Sequence, residues 1–147
     1  MNWNFLNECK VDVVLGTQAD GTGTQSSSII DMSGYEDVTF LAIFADVDDT
    51  AVLTLRAQQD DVNDAGGMAT LTGSATFTAG ATNADNGMLA LEIRRPQKRY
   101  LRAQVVIATA SAITAAVIAI RTKPRKSPVS KAGFLDTTSI ILHSPDE

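Results

Sequence analysis

Apolar residues along this chain recur mostly with a period of two, the spacing of a half-buried β-strand, and no stretch holds the 3.6-residue period of an amphipathic helix. Residues 10–16 (KVDVVLG) and 28–32 read as short strands, separated by Gly, Ser and Thr punctuation that reads as a long loop. Residues 37–45 (DVTFLAIFA) are apolar on both parities, the pattern of a central strand covered on both faces. Residues 51–58 alternate Leu53, Leu55 and Ala57 against Val52, Thr54, Arg56 and Gln58 after a turn at 46–49, so they predict a hairpin partner with one solvated face. A weak edge strand follows over 68–78, between loops at 59–67 and 79–87. Residues 88–94 place Leu89, Leu91 and Ile93 on one side, and Pro96 ends that strand because it cannot donate to a ladder.

The segment 94–131 (RRPQKRYLRAQVVIATASAITAAVIAIRTKPRKSPVSK) sets an apolar run between two basic clusters. The eighteen residues 103–120 are long enough to raise a membrane span, but Gln104, Thr109, Ser111 and Thr114 interrupt them and alternation leads in from Leu101. They predict instead two strands, 99–108 and 113–121, joined by a turn at 109–112. Beyond them the chain becomes a basic, proline-punctuated linker, and residues 134–143 are apolar enough for a last strand. That strand either returns to its own sheet or exchanges with a neighbouring subunit. The expected architecture is all-β, an antiparallel β-sandwich or jelly roll of about eight strands with extended N- and C-terminal arms. Its divisions are an arm at 1–9, the sandwich at 10–122, and the basic linker and C-terminal tail at 123–147.

Charge sharpens this picture. Residues 1–90 hold thirteen acids against Lys10 and Arg56, whereas residues 91–131 hold ten bases against Glu92. Arg94, Arg95, Lys98, Arg99 and Arg102 form one cluster, and Arg121, Lys123, Arg125 and Lys126 another. As nucleic-acid contacts they lack interleaved aromatics beyond Tyr100, and the acidic remainder repels phosphate. They read either as a solvated face or, preferably, as a polar contact surface toward another subunit. Cys9 is the single cysteine, which excludes an intrachain disulfide and suits a reducing compartment. The N-terminal residues MNWNFLNECK lack the pattern of a secretory signal, so a cytosolic protein is expected. At 147 residues one domain can bury its own core without staples.

Catalytic and ligand motifs fail on inspection. His143 is the single histidine and stands near the C-terminus, leaving little for a nucleophilic triad or a zinc site. Residues 16–23 (GTQADGTG) have the glycine spacing of a phosphate loop, but Thr22 and Gly23 replace its lysine and hydroxyl residue. The acids at 46–49 and 60–67 lack regular calcium-loop spacing, so they read as solvated turns. No catalytic residue, cofactor or metal is expected, and the chain is not expected to be an enzyme.

The run RRPQKRYLRAQVV at 94–106, with its apolar continuation and basic, proline-containing exit, resembles the decoration or cement proteins of tailed-bacteriophage heads. YEDVTFLAIF at 35–44 and LTLRAQ at 53–58 fit the same resemblance. It implies a structural virion protein, assembled in the host cytoplasm, that sits on the capsid surface and clamps neighbouring capsomers. Its implied partners are the major capsid protein and further copies of itself, a homotrimer being favoured, with no nucleic acid and no membrane. A carbohydrate- or host-binding sandwich module of a phage tail or surface structure is the alternative, with Trp3, Tyr35 and Tyr100 available to stack on sugars.

Overall fold

This computed structural model describes residues 4–80 and 84–135. A helical turn, α1 (Phe5–Glu8), precedes β1 (Lys10–Leu15), β2 (Gly21–Ser26), β3 (Ile30–Asp31), β4 (Tyr35–Val47) and β5 (Val52–Asp60). The short strands β6 (Ala69–Thr70) and β7 (Ala75–Thr78), after a 3-10 turn at Ala65–Gly67, and then β8 (Met88–Arg94) and β9 (Tyr100–Pro124) complete the described elements.

The run between the basic clusters is one strand of 25 residues rather than the predicted hairpin. Its partners show why. Residues 35–60, β4 followed by β5, run antiparallel to residues 124–100 of β9 along its whole length, Tyr35 opposite Pro124 and Asp60 opposite Tyr100. The two form a ribbon bent at its middle, where the turn 48–51 faces 109–111. At the bend, Gly21 and Gly23 of β2 stand opposite Ala112 and Ile107, so 108–111 bulge outward against Thr22 alone. Thr50 and Thr109, at φ 71° and 73°, take left-handed conformations that turn both strands. The sequence TASA therefore marks a bend, and its polar residues serve a corner where a loop was expected.

All nine strands belong to one continuous antiparallel sheet, which bending folds into two layers, a first and a second sheet. The first half of β9 lies between β5, which also carries β6 and β7, and the edge strands β2 and β3. Its second half lies between β4, which also carries β8, and the edge strand β1. Inner faces of both sheets supply one core, in which Val38, Phe40, Leu53, Leu55, Leu101, Val105 and Val117 are essentially inaccessible. Leu89, Leu91 and Ile93 of β8 pack against it from the edge, as their alternation predicts. The fold is an all-β, jelly-roll-like sandwich.

Two further expectations change. Residues 21–26 form a strand despite their Gly, Thr and Ser content, because the long β9 offers a ladder that backbone groups alone can satisfy. The segment after β9 packs in part: the Val129 N–H donates to Asn7 O at 3.0 Å, and Val129 is buried. From residue 136 onward, the predicted tail strand and His143 lie outside the described residues.

Candidate interaction surfaces

Bending β9 carries both of its ends to the same end of the sandwich, so the two basic clusters meet there. Arg95 and Lys98 from the β8–β9 loop, Arg99 and Arg125 share a groove of about 370 Å³ with Tyr35 and Glu36. Main-chain bonds fix its floor: Arg125 N–H donates to Gly34 O at 2.8 Å, and Arg95 N–H donates to Glu36 O at 3.0 Å.

Most of these cations already have anions in their own chain. Arg99 grips Asp31 with two bonds of 3.0 and 2.9 Å, Lys123 meets Asp37 at 2.8 Å, Arg94 meets Glu92 at 3.1 Å, and Lys98 pairs with Asp61. Arg121 turns inward: it donates to Asp12 at 2.6 Å and to Asp31 O at 2.7 Å, and lies over the Tyr35 ring. Arg102 lies on the outer face of the first sheet, donating to Gln58 at 2.7 Å, and Gln58 donates on to Thr70 at 3.0 Å. A parallel row links Arg56, Gln104 and Ser26 at 2.9 Å each. Charges segregated along the sequence are thus largely paired within the fold. Arg95, Arg125 and Lys126 remain exposed and without an ion pair among the described residues.

These pairs set an acid dependence. The hydrogen bond from Arg99 holds the Asp31 carboxyl below its ordinary range, and that from Lys123 does the same for Asp37, against the smaller opposing effect of burial. Both groups bind protons more weakly folded than unfolded. Their stabilisation is therefore full above the unfolded carboxylate value, about pH 4, and is lost as pH falls through their lower folded values. Asp37→Asn is expected to lower the urea midpoint at neutral pH and to flatten its decline in acid relative to wild type.

The opposite end is acidic. Asp46 and Asp48 flank the end of β4, and Asp85 reaches across to accept the Val47 N–H at 2.8 Å. Repulsion from Asp85, first, then desolvation and the charges of Asp48 and Asp20 push the Asp46 carboxyl upward. Asp60 and Asp64 of the 60–67 loop, by contrast, serve their own turns: Asp60 accepts from Asp61 N–H at 2.6 Å and Asp64 accepts from Gly66 N–H at 3.1 Å. The Cys9 thiol is buried, which pushes its proton affinity up together with the Glu8 charge and leaves it a poor nucleophile.

A third surface was hidden in the sequence. On the outside of the second sheet, register aligns Val13, Ile118, Leu41 and Ala90 in one row across four strands. Val11 and Ile120 lie in the next row on one side, and Ala116, Ile43 and Met88 on the other. Val13 and Met88 are each 63% exposed, and Leu41, Ile43, Ile118 and Ile120 are half-buried. Apolar character on both parities of 37–45 and 113–121 was the available signal. It implied cover on both faces, but no helix or third layer covers the outer one among the described residues. No helix there is long and apolar enough to cross a membrane.

No family model and no curated protein sequence matches the chain. Among solved structures, the PBSX exported protein XepA matches over 100% of this chain and 44% of its own, at 16% identity and a TM-score of 0.51. Latent PorU from Porphyromonas gingivalis matches over 80% of this chain and 13% of its own, at 9% identity and a TM-score of 0.48. A chain of the disulfide-linked pili of Bacillus endospore appendages matches over 84% of this chain and 96% of its own, at 11% identity and a TM-score of 0.47. The chain therefore spans less than half of XepA and a small part of PorU. The XepA likeness shows the sandwich fold.

Proposed function

We propose that this sandwich is a non-enzymatic structural subunit of a phage-type particle, which decorates a capsid surface and stabilises it by clamping neighbouring capsomers. The observation that carries the reading is the aliphatic outer face of β1, β9, β4 and β8. A contiguous apolar sheet face turned to water marks a protein contact. The sequence resemblance at 94–106 supplies the class of partner, the major capsid protein, and a homotrimer is the proposed working form. Arg95, Arg125 and Lys126 add polar contacts at the rim of that surface's basic end.

Co-sedimentation with capsids lacking this protein tests the reading. Wild type is expected to bind, and Val13→Asp/Met88→Asp to bind at least tenfold more weakly with an unchanged melting temperature. Burying either aliphatic side chain is worth about 1.5–3 kcal/mol, and a carboxylate in its place must be desolvated as well. Wild type that stays in the supernatant, or a double variant that binds as wild type does, overturns it.

A further inference from the structure

We infer that copies of this chain associate end to end, with the aspartate corner of one copy seated against the arginine groove of the next. β4 runs from Tyr35, in the groove, to Val47, at the corner, so its 13 residues separate the two sites. At 3.3 Å per residue they lie about 40 Å apart, on opposite ends of the sandwich.

The two ends carry opposite excess charge. Asp20, Asp46, Asp48, Asp49 and Asp85 belong to the segments that meet at the corner, and 16–30, 43–55, 79–93 and 103–120 contain no lysine or arginine. Asp46 is crowded by Asp85, Asp48 and Asp20. At the groove, Arg95 and Arg125 are the exposed cations left over after Asp31, Asp37 and Asp61 have taken Arg99, Lys123 and Lys98, and Lys126 follows Arg125 in the chain. Glu36 is the carboxylate that also lines it.

Contact between two different surfaces of one chain is heterologous, and opposed ends build an open row rather than a closed ring. Exposed ion pairs contribute only about 0–1 kcal/mol each, so the contact is weak and sensitive to salt. It uses neither Val13 nor Met88, and leaves the aliphatic face free.

Light scattering and sedimentation velocity of the full chain test it. In about 0.01 M salt, where charges are felt over about 30 Å, the mass is expected to exceed that in about 1 M salt, where the range is about 3 Å. Arg95→Glu/Arg125→Glu and Asp46→Lys/Asp48→Lys are each expected to abolish the increase, and an equimolar mixture of the two variants to restore it, because each keeps the end the other lost. Val13→Asp/Met88→Asp is expected to retain it, which separates this contact from the capsid surface. A mass independent of salt, charge variants that still associate at low salt, or a mixture that does not recover association overturns the inference.

Discussion

Asp12→Ala is expected to destabilise the fold by about 3 kcal/mol, read as a fall in the urea midpoint at unchanged slope. Asp12 lies in β1 opposite Ala119, and it meets the guanidinium of Arg121 at 2.6 Å where the sandwich closes at its basic end. The Arg121 side chain is only 10% exposed, and its Nε is already buried without a hydrogen-bond partner. Removing the carboxylate leaves that cation with Asp31 O, the Tyr35 ring and the field of the Asp31 carboxylate, which Arg99 already grips. An uncompensated buried charge costs more than a lost contact. Arg121→Met should be milder, because Asp12 keeps Lys10 at 3.6 Å and more access to water. The double variant Asp12→Ala/Arg121→Met should therefore be more stable than Asp12→Ala alone. If Asp12→Ala proves the least damaging of the three, Arg121 does not depend on its partner.

That pair also shows where reading the sequence stops. Alternation in 53–57 and 88–94 identifies the inward residues because each strand has one wet face, and parity then has a single meaning. In 37–45 and 113–121 parity carries no such information. An apolar outer face looks the same whether a second layer covers it or another molecule does. The bend of β9 was hidden for a related reason: Thr-Ala-Ser-Ala suits a tight turn or a bulged strand, and only the matching bend of 48–51 in the partner decides between them. Charge misleads in yet another way. Thirteen acids before residue 91 and ten bases after it look like surfaces meant for different molecules, until antiparallel pairing brings Asp12, Asp31, Asp37 and Asp61 against Arg121, Arg99, Lys123 and Lys98. What the sequence does not single out is the remainder, Arg95, Arg125 and Lys126, which have no ion pair among the described residues.

Phe40→Ala is expected to cost about 4 kcal/mol, more than Phe44→Ala four residues further along the same face. Both rings are buried to within 1% of complete, so transfer from water favours them equally. Their surroundings differ. Phe40 sits mid-strand opposite Ala119 on β9 and Leu91 on β8, and small Ala42, Ala103 and Ala119 in the same core cluster have no side chain long enough to swing into a void. The vacated space therefore stays empty, and the full cavity penalty adds to the transfer loss. Phe44 instead borders a hollow of about 280 Å³ that Leu53, Phe77, Met88 and Leu89 also line, at the edge where β7 and β8 part. Met88 and Phe77, 63% and 45% exposed, can move inward there, and water can enter from the open side. Chemical denaturation of the two variants decides the matter: a Phe44→Ala loss equal to or above that of Phe40→Ala would mean that the hollow is as rigid as the centre of the sandwich.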